Sequence, residues 1–250
     1  MAMNRASFAK MLEPGLNTLF GLEYDSYPSE YEAVFSSNTS QKAYEEDVLL
    51  AGFGAAPTKN EGASVSYDDA GQQWTARYQH ETVALAFSIT EEAEEDGQYG
   101  SIASRYTKAL ARSMSSTKEI KAANVLNNAT TVNGGDGTTL LSTAHPTQNG
   151  NQSNTLATAA DLSETSLESI LIQIADMKDE RGLRVAAQGT QLIIPTAYTF
   201  VAERLLESQL RTGTADNDIN AIKSGGYLPK GYHVMRRLTD SDAFFVQTDV

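Results

Sequence analysis

The residues best suited to acid–base or metal chemistry in this 250-residue chain are its three histidines, His80, His145 and His233. They stand far apart in unlike surroundings. There is no HExxH, no paired histidines at metal-ligand spacing and no CxxC, so the residue pattern gives no metal site. Cysteine is absent altogether, which removes a thiol nucleophile, a thiolate site and any disulfide framework. No G-x-S-x-G elbow occurs. Gly-x-Gly appears at Gly52-Phe53-Gly54 and at Gly135-Asp136-Gly137. Neither sits in a strand–turn–helix context, and Gly134–Gly137 lacks the Gly-Lys-Ser/Thr ending of a phosphate loop, so it reads as a surface excursion. The acids of Thr90–Gly97 would point all round a first helical turn rather than toward one ion. Glu203 and Glu207, near Arg204 and Arg211, read as a surface ion-pair ladder, and His233 as a solvent-facing strand residue. Arg236-Arg237 is too little for a nucleic-acid site. No catalytic residue, metal ligand or cofactor site emerges, and the chain reads as a structural protein rather than an enzyme.

Charge narrows the field further. The formal net charge is −13. Residues 1–100 carry 17 acids against 5 cations, whereas residues 101–250 are nearly balanced at 15 against 14. A chain so acidic repels nucleic acid as a whole, because phosphate binding rests on Lys and Arg. The acidic half solubilises the protein or reaches for a more basic surface on a neighbour. No apolar run approaches membrane-spanning length, and the first twenty residues lack the continuous apolar core of a signal peptide.

The elements that would position these residues hang on Gln98–Asn128. Tyr99, Ile102, Tyr106, Leu110 and Met114 form a stripe at helical spacing, uninterrupted by proline, predicting a helix about 45 Å long. The stripe weakens at Ser115-Ser116-Thr117, so the second half is expected to bend or to run near the surface. Before it, Phe8–Leu12 predicts a short helix broken at Pro14-Gly15. Tyr24–Ser40 looks extended, with Tyr24, Tyr27, Tyr31 and Phe35 needing a surface from this chain or another. Val48–Gly54 is a short strand or connector. Ser64–Tyr67 and Gln73–Tyr78 alternate and flank Asp68-Asp69-Ala70-Gly71, predicting a β-hairpin too thinly apolar to stand alone. Val83–Ile89 predicts a further strand.

After a polar stretch to Thr155, the texture becomes α/β. Ser163 caps a helix with Leu167, Ile170, Leu171, Ile174 and Met177 inward, ended by Lys178, Arg181 and Gly182. Thr190–Ile194 is a buried strand closed by Pro195. Ala197–Leu210 is a helix with Phe200, Val201, Leu205 and Leu206 inward, followed by a polar loop to Lys223. Tyr232–Leu238 and Ala243–Gln247 are strands joined by Thr239–Asp242. Together they make helices on a small sheet.

In this order the parts resemble the major capsid protein of tailed bacteriophages, the Hong-Kong-97-type fold, and in particular the Mu-like head subunits. Thr90-Glu91-Glu92 with the Gln98–Asn128 helix resembles the family's spine. Leu141–Pro146 resembles the loop beyond it. Asp161–Glu168, Leu192-Ile193-Ile194-Pro195 and Ala202–Leu206 resemble the axial domain, and Gly231–Val234 and Ala243–Val246 the later strands. The resemblance implies an α+β capsid-type fold. It would have an N-terminal arm (1–45), an extended β-hairpin loop (46–89), a peripheral domain (90–160) with spine helix 98–128, and an α/β axial domain (161–250). The family normally returns to the peripheral domain after the last strand, so the chain is expected to be shorter than the natural protein.

The implied function is a major head subunit that self-assembles into hexamers and pentamers of an icosahedral shell. That shell would enclose double-stranded DNA without sequence-specific binding, within a virion assembled in the bacterial host cytoplasm. Implied partners are further copies, scaffold, portal and decoration proteins, and no membrane. Intersubunit contacts fall to Trp74, Tyr78, Tyr27, Tyr31 and Phe35. Some relatives cross-link through a Lys–Asn isopeptide bond; Lys59 lies in the corresponding loop, with no motif around it. A nanocompartment shell of related fold, a tail or decoration protein, and an enzyme built on residues 161–250 are the competing readings.

Overall fold

The computed structural model describes residues 6–88, 99–211 and 218–250. In chain order it contains helix α1 (Ala6–Ser26), a 3-10 turn (Tyr31–Ala33), strands β1 (Tyr44–Ala51) and β2 (Gly71–Gln79), and the long helix α2 (Tyr99–Asn127). A small strand pair follows, β3 (His145–Thr147) and β4 (Gly150–Gln152), then helix α3 (Glu164–Ala175) and strand β5 (Gly189–Ile194). A 3-10 turn (Thr196–Tyr198) leads into α4 (Thr199–Glu207), and α5 (Ala221–Gly225), β6 (Tyr232–Val234) and β7 (Phe245–Thr248) complete the chain. Two compact units result: residues up to Glu32 with Glu81–Ala122, and Ala33–His80 with Ala123–Val250.

In the first unit, α2 is the predicted long helix, but its buried stripe is not the predicted one. Ala103, Thr107, Ala111 and Glu119 are buried, at four-residue spacing or its multiple, while Tyr106 and Ile120 are 54% and 46% exposed. The buried positions are small or hydrogen-bonded, and the large side chains lie to either side of them. The buried stripe also continues past Ser115-Ser116-Thr117 to Glu119 and Ala123, so the second half keeps a buried face. The Thr107 hydroxyl is satisfied inside the helix by the Ala103 carbonyl at 2.8 Å. The buried Glu119 carboxylate accepts the backbone N–H groups of Glu30 (2.9 Å) and Tyr31 (3.2 Å), where the first 3-10 turn begins with unpaired donors.

Helix α1 runs through Pro14 and Gly15, where a break was expected. A mid-helix proline removes one hydrogen bond, and the helical period resumes beyond it at Leu16, Leu19, Phe20 and Tyr24. The Phe20 and Tyr24 rings stack one turn apart at 5.9 Å, so Tyr24 is helical and not extended. Residues 81–88 form no strand; the Phe87 ring instead meets Tyr106 of α2 at 5.8 Å. Ile89 and the acidic Thr90–Gly97 turn lie outside the described residues.

The second unit is built on a three-stranded sheet of order β6-β5-β7, parallel between β5 and β6 and antiparallel between β5 and β7. Leu192 and Ile194 on one face pack with Leu167, Ala202, Leu206 and Ile222; Ile193 on the other packs with Ala123, Met235, Val34, Phe35 and Phe245. Burial on both faces is why this strand reads as an unbroken apolar run. It is also why β5 takes the centre, so that β6 and β7 flank it and do not pair with each other. His233, opposite Ile193, lies half-buried on the same face and not in solvent.

Helix α3 opens with the predicted Ser163 cap, as a reciprocal box with Ser166. It stops at Ala175 with Asp176 as C-cap, so Lys178, Arg181 and Gly182 lie beyond it. Phe200 points outward at 75% exposure, against expectation. The preceding 3-10 turn sets the phase of α4 so that Ala202 and Leu206, four apart, face the core, and a residue two positions before Ala202 faces away. The polar loop after α4 contains α5, capped by the Asn220 side chain on the Ile222 and Lys223 amides and closed by left-handed Gly226 at φ 64°.

The hairpin also differs from its prediction. β2 pairs antiparallel with Tyr44–Ala51, and Ser64–Tyr67 belongs to the connecting loop. Val65 and Tyr67 are 64% and 95% exposed there, whereas β1 brings Val48, Leu49, Leu50 and Ala51, with Ala51 fully buried.

Candidate assembly surface

The hairpin is anchored to its own unit at two points. Trp74 of β2 packs against Gly135, close enough that a side-chain carbon at Gly135 would fall 2.6 Å from the ring's Cζ3. Only glycine leaves the indole this approach. At the base of loop 52–70, Asp68 Oδ2 accepts the Gly54 N–H at 2.8 Å and Oδ1 accepts Arg181 Nη2 at 2.6 Å; Arg181 Nη1 donates to Gln148 Oε1 at 3.0 Å. The Gly54 amide, and then the Arg181 guanidinium, hold the Asp68 carboxyl below its ordinary range. Along the strands, Arg77 bonds its cross-strand partner Glu46 and lies 4.5 Å over the Tyr44 ring.

Between these anchors the loop presents Phe53, Val65 and Tyr67 to solvent, with Leu50 at the end of β1 and Tyr78 on the returning strand. Large apolar groups left exposed on one projecting element mark a surface made to be covered.

The five aromatic contact candidates divide in two. Trp74 covers Gly135, Phe35 packs on Ala123, Ile193 and Met235, and Tyr31 is buried with Lys118 Nζ 4.8 Å from its ring centroid, so these three pack within their own chain. Tyr27 is half-buried and donates to Glu23 at 3.1 Å. Tyr78 alone of the five is mostly exposed. Val65 and Tyr67 fall within the hairpin expected to lie over a neighbour, whereas the exposure of Leu50 and Phe53 has no sequence signal. Nor does any local pattern tie Asp68 to Arg181, which is 113 residues away.

The polar groups singled out in the sequence serve structure. Asp136 Oδ2 meets His145 Nδ1 at 2.6 Å and the Thr138 hydroxyl at 2.7 Å, while Thr138 Oγ1 is 3.1 Å from the same His145 nitrogen. Burial pushes the Asp136 carboxyl up, and the bonds from Thr138 and His145 outweigh it, holding the group below its usual range. Nδ1 is taken up by Asp136 and Nε2 is buried with no hydrogen-bond partner among the described residues, so the trio ties residues 136–145 into a closed loop. Glu203 and Glu207 form no ladder. Glu203 accepts the Tyr232 hydroxyl at 2.6 Å and Glu207 pairs with Lys223 at 3.5 Å, across elements. Among the described residues no group of metal-binding side chains occurs and no helix is long and apolar enough to cross a membrane.

Comparison of the chain with curated protein sequences gives no match. Among solved structures it is similar to the bacteriophage JBD30 capsid chain, at 13% identity and a TM-score of 0.62 over 84% of this chain and 90% of that one. It is similar also to the JBD30 capsid decorated with minor capsid protein trimers, at 14% identity and a TM-score of 0.64 over 86% and 92%. The JBD30 procapsid chain gives 15% identity and a TM-score of 0.59 over 94% and 99%. Residues 72–249 match the family described as phage capsid protein. That span takes in β2, the long helix and the whole α/β sheet, and on it the chain belongs to the phage capsid protein family.

Proposed function

We propose that this protein is the major head subunit of a tailed phage, assembling into hexamers and pentamers of an icosahedral shell that encloses double-stranded DNA. The observation that carries the reading is the family match over residues 72–249 together with a hairpin loop whose apolar side chains are exposed among the described residues. In this reading residues 1–45 are the N-terminal arm, 46–89 the extended loop, 90–160 the peripheral domain with α2 as its spine, and 161–250 the axial domain. Val65, Tyr67 and Tyr78 lie over a neighbouring copy, and Trp74, Tyr27, Tyr31 and Phe35 set the shape of the elements that reach it. The similar capsid carrying minor protein trimers supports decoration partners; scaffold and portal complete the set, in a virion assembled in the host cytoplasm. DNA is enclosed without sequence-specific contacts.

Negative-stain electron microscopy after co-expression with the cognate scaffold tests the proposal. Closed particles of uniform size are expected. Monomers alone under those conditions would overturn it.

A further inference from the structure

We propose that a groove on α2 lined by Lys108, Arg112, Ser113 and Ser116 binds a phosphate group of a nucleic-acid backbone. The source of the phosphate rests on the shell reading above; the groove does not. Charge in this chain is sharply segregated. The whole carries −13, yet α2 holds five cations against a single carboxylate. That carboxylate, Glu119, is buried and its oxygens are taken by two backbone N–H groups, so the exposed surface of the helix is cationic. Arg105, Lys108, Arg112 and Ser116 follow at steps of three and four, which sets them on one face.

The groove encloses about 540 Å³, with Tyr27 as a wall. Lys108 is partly neutralised by Glu23 at 3.6 Å. Among the described residues no carboxylate forms an ion pair with Arg112. Its charge reaches the Tyr27 hydroxyl, where it opposes the upward push of burial and Glu23. The Tyr27 hydroxyl is already engaged with Glu23. Among the described residues, two cations and one carboxylate leave one net positive charge beside the hydroxyls of Ser113 and Ser116. That matches a phosphodiester, which carries one negative charge and offers several acceptor oxygens. An arginine fork takes two of them and serine hydroxyls the rest.

One such contact per subunit is weak, and repetition over many copies makes it effective. The acidic remainder of the chain repels the duplex, so DNA would be held at points and not adsorbed.

The test uses isotope-labelled full-length protein at low ionic strength, titrated with a short DNA duplex and followed by nuclear magnetic resonance. Shifts are expected at the Arg112 side chain and at the Ser113 and Ser116 amides. Affinity should fall with added salt at a log–log slope of about −0.9, the value for one phosphate contact. Arg112→Lys should weaken binding several-fold and Arg112→Glu at least tenfold, with melting temperature unchanged because the side chain is exposed. Unaltered duplex binding by Arg112→Glu would overturn the proposal. So would equal binding of inorganic phosphate per phosphorus, which would make this a free-anion site, or tighter binding of polyglutamate, which would make it a surface for an acidic chain. Particle formation is scored separately: a wild type that never forms shells removes the shell reading and leaves duplex binding measurable.

Discussion

Gly135 shows how a single absent carbon can place an element. The only tryptophan of the chain rests on it, and a side chain there would collide with the ring. Gly135→Val should destabilise the protein by about 1–3 kcal/mol, the usual cost of forcing extra carbons into a packed contact, measured by urea unfolding. The same variant should shift Trp74 fluorescence to longer wavelength as the indole moves into water; an unchanged spectrum would contradict the contact. Asp68 works through charge. Its folded-state carboxyl lies below the ordinary range, so its contribution is complete above the unfolded-state value and disappears as pH falls through the depressed folded value. Asp68→Asn should therefore lower the urea midpoint near neutral pH and match the wild type in strong acid. A difference that persisted in acid would mean the side chain acts by shape and not by charge.

Among the elements, α3 was the most legible in advance. Ser163, followed by an apolar series at helical spacing, marks both its start and its inner face, and the reciprocal bond with Ser166 reinforces the cap. Ser163→Ala should cost about 1 kcal/mol by thermal or chemical unfolding, in the usual range for a lost N-cap. The long helix was legible in existence and bounds but not in orientation. Its large side chains suggested one face, whereas Ala103, Thr107 and Ala111 are the buried ones. The hairpin was half legible. No turn forms at Asp68–Gly71: Gly71 already opens β2, Asp68 receives Gly54 and Arg181 instead, and the pairing went to the more apolar Tyr44–Ala51. Pro14 misled for a related reason. A breaker signal is a local cost of about 3 kcal/mol, and periodic packing further along can exceed it.

For the whole molecule, the reading as a shell subunit makes the exposed loop the place where the fold of one chain ends and assembly begins. Replacing both Val65 and Tyr67 by serine should leave the melting temperature of the free subunit nearly unchanged, since neither is buried. The same change should lower the yield of closed particles by electron microscopy. A large drop in subunit stability instead would mean that the loop packs on its own chain. If both proposals hold, the acidic first hundred residues would keep the particle soluble while the cationic α2 would offer a point contact to phosphate.

The amino-acid sequence by itself determined the long helix, the capped α3, the buried strand before Pro195 and the lack of any catalytic or metal-binding pattern. These are matters of local period, capping chemistry and residue type, which neighbours along the chain decide. Only the tertiary structure decided which face of α2 is buried, which strand pairs with β2, that Trp74 lies on Gly135 and that Asp68 meets Arg181. Each of those depends on groups brought together from distant parts of the chain, where the outcome is set by competition for buried area and for hydrogen-bond partners. The resemblance to a capsid subunit was legible because the order of elements survives in sequence. The surface that would do the assembling was not, because exposure is a property of the folded chain.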